Sequence, residues 1–227
     1  MTTNNVKKVW ASGKAVVNAW LAIPSGFSAE VIAQCGFDSV TVDMQHGVQD
    51  YQSMVQCFQA MNGHPVTPMV RVPWNEPGII GKVLDGGAYG VICPMINTPK
   101  EAKDLVQFAK YPPKGTRSNG PIRAGMYGSA GSYQQTANDE IVLLPMMETK
   151  TAVENMEAIL DVDHPVADVV RRLHQEGEGV AMPNGLEGVP PQQPHRLRHN
   201  LFRDYWRHHR HHYSLSLVAC CLLPIRN

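Results

Sequence analysis

Two rhythms of apolar and polar positions alternate from the start of the chain to about Val162. Short apolar, β-branched runs have the character of buried strands, and stretches with apolar residues three and four apart have the character of helices. The strand-like runs are Ala15 to Ile23, Val40 to Val42 within Ser39 to Gly47, Thr67 to Val72, Tyr89 to Met95, and Ile141 to Met146. Helices are expected between them. Val6 to Ala11 forms a first short one, stopped near Gly13. Ser28 is read as the cap of a helix from Ala29 to Cys35, which Gly36 ends. The next starts at Asp50 or Tyr51 and runs through Met54, Val55, Phe58 and Met61. Asn75-Glu76-Pro77 opens another, running to Asp85, with proline early where its missing N–H costs nothing. Thr98 and Glu101 stand at capping-box spacing ahead of a helix to about Lys110. A long Gly- and Ser-rich loop is expected from Lys114 to Tyr133, and a last helix from Thr151 to Leu160.

Strand and helix alternate five times with short connections, which predicts a parallel sheet covered by helices. An open doubly wound sheet competes with a barrel. No Gly-x-Gly-x-x-Gly follows any of the strands, so the dinucleotide-binding version lacks its phosphate turn. The polar residues fall just after strands, at Trp20, Asp43 with His46, Arg71 and Glu148. A TIM-type (β/α) barrel gathers such ends on one face, so the fold class read here is α/β, a barrel incomplete towards the C-terminus.

The rhythm stops after Val162. All nine lysines lie at or before Lys150, whereas eight of ten histidines and eight of eleven arginines follow Asp163. The chain is therefore divided into a barrel unit at 1–162 and an irregular Arg/His/Pro-rich tail at 163–227. Three readings of the tail stand open: a basic appendage, a metal-binding histidine tract, or a segment translated out of frame.

Composition narrows the class. The chain of 227 residues carries 20 basic and 20 acidic side chains, so its formal net charge is zero. No basic stripe for nucleic acid appears in the barrel unit. No apolar run reaches the roughly 18 residues of a membrane span, and no signal-peptide pattern opens the chain. Cys35, Cys57 and Cys93 are isolated, without the paired spacing of a zinc site. A cytoplasmic protein with reduced thiols is expected.

The strand ends supply the chemistry. His46 follows Asp43 by three residues, and a carboxylate beside an imidazole suits a general base; the alternative is a loop histidine bonded to backbone. Arg71 ends a buried strand, where its planar fork suits a carboxylate or keto acid; the alternative is a structural ion pair. Glu148 can hold a hard divalent cation or, alternatively, favour a helix N-terminus.

Five ordered motifs carry a resemblance: Val42 to Gly47 (VDMQHG), Val70 to Pro77 (VRVPWNEP), Leu84 to Met95 (LDGGAYGVICPM), Tyr111 to Ser118 (YPPKGTRS) and Met147 to Asn155 (METKTAVEN). Together the chain resembles the HpcH/HpaI aldolase family of metal-dependent pyruvate aldolases. The resemblance implies a TIM-like barrel and cleavage of a 4-hydroxy-2-oxo acid to pyruvate and an aldehyde, or citrate-lyase-like chemistry. It implies a magnesium or manganese ion with Glu148 as ligand, Arg71 on the keto acid, and His46 paired with Asp43 as base. It further implies Asp85 joining that dyad from a neighbouring subunit in a homo-oligomer, Trp20 on the site wall, and Gln45 within the substrate-binding motif. Two positions depart from the family pattern. Met146 stands where the family commonly has glutamine, and no Gly-Pro-x-Asp-Leu stretch supplies the second metal ligand, Asp168 being nearest. The last three barrel strands and the C-terminal interface helix also lack counterparts. The alternative reading is an inactive remnant of such an enzyme.

Overall fold

Each apolar run between Asn18 and Pro145 becomes a strand in a computed structural model of the protein, which describes residues 3–127 and 133–162. The strands are β1 (Asn18–Leu21), β2 (Ser39–Asp43), β3 (Thr67–Arg71), β4 (Gly90–Cys93) and β5 (Val142–Pro145). All four pairings are parallel, in the order β1-β2-β3-β4-β5. Sequential order without reversal is what decides between the two architectures. A doubly wound sheet turns back at a switch point, and a barrel does not. The described strands are therefore an arc of a barrel.

Side chains of successive strand residues point to opposite faces, and the sheet has two separate cores. Val40, Val42, Val70, Val72, Val91, Cys93 and Leu143 face outward onto the helices. Met69, Ile92, Val142, Leu144 and Met146 face inward with Val6, Trp10 and Val16. The last three come from α1 (Asn5–Ala11) and the segment after it, which close the inner face at the N-terminal end of the strands. Asn4, wholly buried, fixes that closure: its Nδ2 donates to the carbonyls of Tyr89 (3.0 Å) and Glu140 (2.9 Å), and its Oδ1 caps Val6 N–H.

The connecting helices are α2 (Gly26–Ala33), α3 (Tyr51–Ala60), α4 (Pro77–Asp85) and α5 (Pro99–Ala109). Asp50 with Ser53, and Thr98 with Glu101, form reciprocal capping boxes, and Glu76 caps α4. Three expectations need correction. Ser25, not Ser28, caps α2, and Ser28 supplies the N–H it accepts. The expected loop before β5 contains α6 (Ile122–Met126), and α7 (Tyr133–Glu140) follows. The last helix is two, α8 (Lys150–Glu154) and α9 (Met156–Leu160), broken at Asn155, whose φ and ψ of −98° and 6° leave the helical ladder. No helix among the described residues is long and apolar enough to cross a membrane. The tail at 163–227 lies outside the described residues.

Candidate active site

Register brings the inward residues of neighbouring strands side by side. Trp20 pairs with Thr41, and Asp43 with Arg71; Arg71 pairs in turn with Ile92, and Ile92 with Leu144. Asp43 and Arg71 are thus the last inward residues of β2 and β3. Their side chains meet as a two-bond fork, Nε to Oδ1 at 2.8 Å and Nη2 to Oδ2 at 2.5 Å. They are only 9% and 7% exposed. The Arg71 guanidinium also lies over the half-buried Trp20 ring, 4.8 Å from its centroid. Planar forks of this kind fix orientation as well as charge.

Asp43 has a second task. Its Oδ1 accepts from the backbone N–H of Gln45 (3.1 Å) and of His46 (3.3 Å), shaping the turn out of β2. Burial works against its charge, but the Arg71 bond, the two backbone donors and the Arg71 charge outweigh it and hold the carboxyl below its ordinary range. Sequence reasoning paired this carboxylate with the His46 imidazole. The structure ties it to the Arg71 side chain and the His46 main chain instead, with the imidazole exposed.

Gly47 lets that turn pass close to β1. A Cβ there would stand 2.3 Å from the Asp43 carbonyl oxygen and 3.0 Å from Ala22 Cα. Val48 N–H reaches the Ala22 carbonyl, and the buried Gln49 donates to the carbonyls of Leu21 and Ile23. Gln45 is half-buried, and its Oε1 is a buried acceptor without a hydrogen-bond partner among the described residues.

Glu148 follows β5 at the same end of the sheet. It is half-buried, and its Oε1 accepts from Met95 N–H at 2.9 Å. The other carboxylates of the loops at this end are engaged elsewhere: Asp43 with Arg71, and Asp50, Glu76 and Glu101 as helix caps. Glu148 is a hard oxygen donor of the kind magnesium or manganese takes, and such ions are often held by one or two carboxylates with water and substrate oxygens. Among the described residues no group of three His, Cys, Asp or Glu side chains stands together, so Glu148 is a candidate oxygen donor without such a cluster around it. Asp168 lies outside the described residues.

Asp85 is not brought to this face within the chain. It ends α4 at the N-terminal end of the strands and pairs with Arg117 Nη2 at 2.5 Å. Arg117 is 1% exposed and lies against the rings of Tyr111 (4.5 Å) and Tyr133 (5.7 Å). Sequence reasoning missed Met95 and Asn97. Met95 has a left-handed φ of 58°, uncommon for a residue with a long side chain, and single-sequence patterns carry no signal for it.

Comparison with known proteins agrees with this architecture. The family model described as HpcH/HpaI aldolase/citrate lyase matches residues 17–171. The hydroxypyruvate/pyruvate aldolase of Rhizorhabdus wittichii is 39% identical over 161 residues, covering 70% of this chain and 63% of the relative. The 4-hydroxy-2-oxo-heptane-1,7-dioate aldolase of Escherichia coli is 35% identical over 162 residues, covering 70% and 62%. A crystal structure of an HpcH/HpaI aldolase/citrate lyase family protein from Burkholderia cenocepacia superposes with a TM-score of 0.66 at 30% identity, covering 70% of this chain and 65% of that one. The chain thus spans under two thirds of the length of these relatives. It belongs to the HpcH/HpaI aldolase/citrate lyase family.

Proposed function

We propose that this member of the aldolase/citrate lyase family binds a 2-oxo acid at the C-terminal end of its strands. The reaction proposed is divalent-metal-dependent cleavage of a 4-hydroxy-2-oxo acid to pyruvate and an aldehyde. The observation that carries it is the buried Arg71, oriented by the Asp43 fork and the Trp20 ring on adjacent strands. The fork uses two of the five N–H donors of the guanidinium, which leaves three to receive a carboxylate or keto oxygen. The names of the relatives, pyruvate and 4-hydroxy-2-oxo acid aldolases, point to the same substrate class.

Breaking the C3–C4 bond requires removal of the 4-hydroxyl proton, and the bond's electrons then form the pyruvate enolate. His46, exposed beside Arg71's partner Asp43, is the residue that takes this proton and returns one to C3. The Asp43 carboxylate sets the main chain that carries His46, while Trp20 and Asp43 stop the guanidinium from turning. A magnesium or manganese ion held by Glu148 would supply a Lewis acid for the 2-oxo group. Gln45, with its unmet carbonyl oxygen, is a further substrate contact. The aldehyde, the small 2-oxo acid, a homo-oligomer in which Asp85 serves a neighbouring copy, and a cytoplasmic location complete the reading.

Exchange of the pyruvate methyl protons in deuterated water with manganese tests it. The wild type should exchange, and His46→Ala and Arg71→Ala should each lower the rate at least tenfold. Undiminished exchange in both variants discards the assignment. A second reading, recognition without turnover, is favoured by the single carboxylate ligand among the described residues. Cleavage of 4-hydroxy-2-oxoheptanedioate, with pyruvate coupled to lactate dehydrogenase, separates the two.

A further inference from the structure

The chain leaves β4 at Cys93 and must come back to the end of β5 within three residues. Met146 N–H reaches the Cys93 carbonyl at 2.8 Å, and Ile96 N–H reaches the Met146 carbonyl at 3.1 Å. Pro94 and Met95 make the turn between these anchors. Met95 makes it in the left-handed region, at φ 58°, which side chains other than glycine rarely adopt. In that conformation its N–H meets Glu148 Oε1 at 2.9 Å.

Asn97 is the residue that holds the turn. Its Nδ2 donates to the Met95 carbonyl at 2.9 Å. Its Oδ1 accepts from the Thr149 hydroxyl, the residue next to Glu148. Its own carbonyl accepts from Asn155 Nδ2 at 2.9 Å, the residue that interrupts the helix after β5. Its N–H is taken by Glu101 Oε2 at 2.7 Å, within the capping box of α5. Every polar group of Asn97 is thus tied to the β4 turn, to the segment carrying Glu148, or to the helix behind them.

We propose that Asn97 is a positioning residue for Glu148: its amide clamps the Met95 peptide in the left-handed conformation from which the Met95 N–H orients the Glu148 carboxylate. The inference rests on the reading of Glu148 as a cation ligand for its functional consequence, but the clamp itself is independent of any metal. The Asn97 amide is the side-chain clamp on the Met95 carbonyl, acting beside the two backbone anchors and the Met95 N–H bond to Glu148 against the cost of the backbone conformation. Without the Asn97 amide, Met95 relaxes to negative φ, its N–H turns away, and the carboxylate loses its fixed direction.

Amide hydrogen exchange and manganese titration of the full chain test this together. In Asn97→Ala, exchange at the Met95 amide should quicken at least tenfold, with Val91 and Ile92 in β4 unchanged. The part of the manganese affinity that Glu148→Ala removes should weaken about tenfold. Adding Met95→Gly to Asn97→Ala should return that affinity to within about threefold of the wild type, because glycine takes positive φ without a clamp. An unchanged Met95 amide in Asn97→Ala overturns the inference, as does a loss of affinity that Met95→Gly does not restore. If Glu148→Ala leaves manganese binding untouched, the ligand assignment falls, and exchange at Met95 still decides the clamp.

Discussion

Removal of Asp43 tests the site at its most buried point. In Asp43→Ala the Arg71 guanidinium loses both bonds of its fork while remaining in a pocket where it is 7% exposed. The Trp20 ring stays beneath it, but a cation over an aromatic face is worth about 0.5–2 kcal/mol. Leaving one member of a buried ion pair uncompensated costs about 3–5 kcal/mol. The reverse change should be milder. In Arg71→Ala the carboxylate keeps the backbone donors of Gln45 and His46, and bonds to a charged group are each worth about 1.5–3 kcal/mol. Asp43→Ala should therefore lose about 3–5 kcal/mol, a large share of an ordinary domain's stability, and Arg71→Ala about half that. Urea unfolding followed by circular dichroism and tryptophan fluorescence measures both, with Trp20 reporting from beside the pair. The acid limb adds a sign. Because the folded Asp43 carboxyl lies below its ordinary range, its contribution is fully present above the unfolded value near 3.9 and is lost as pH falls through the folded value. The gap between wild type and Asp43→Ala should hold across neutral pH and close in acid. A loss under about 1 kcal/mol in Asp43→Ala, or a larger loss in Arg71→Ala, refutes the reasoning.

Two more expectations follow from backbone and burial. Gly47→Ala should cost about 1–3 kcal/mol and lower Tm by several degrees, because the added Cβ would meet the Asp43 carbonyl oxygen and Ala22 Cα, backbone atoms that cannot swing aside; an unchanged Tm would contradict this. Brief iodoacetamide treatment followed by peptide mapping should modify the exposed Cys35 and spare Cys57 and Cys93 until the chain is unfolded, since both are buried and burial pushes the Cys93 thiol up to about 12; native labelling of Cys93 as fast as Cys35 would overturn it.

The parts of the fold legible in the sequence are those set by local chemistry. Thr98 with Glu101 and Asp50 at the start of α3 announce helix starts because their partners lie within one turn. Ser25 and Ser28 look alike as caps, and only the path of the chain out of β1 decides between them. Helix α7 went unread because Tyr133 and Ala137 are the only buried positions in an otherwise polar run. At the site, the strand ends named Trp20, Asp43, Arg71 and Glu148, since polar residues after buried strands stand out. Their partnerships did not show: Asp43 and Arg71 are 28 residues apart, and their union depends on which strands neighbour each other. The Met95 turn was invisible for the same reason, its conformation being imposed by Asn97 and the end of β5.

The two-sided sheet has an evolutionary consequence. On β2 and β3, Val40, Val42 and Val70, with Val72 just past β3, answer to the helices, while Thr41, Asp43, Met69 and Arg71 answer to the interior and its mouth. Selection can therefore act on alternate codons of one strand almost independently. An inward residue can be exchanged for another with different reactivity without asking a helix to repack, and an outward valine can drift among apolar types without moving the guanidinium. New substrate preferences in such a scaffold should accumulate at every second position near the strand ends, with the intervening positions held to volume and little else.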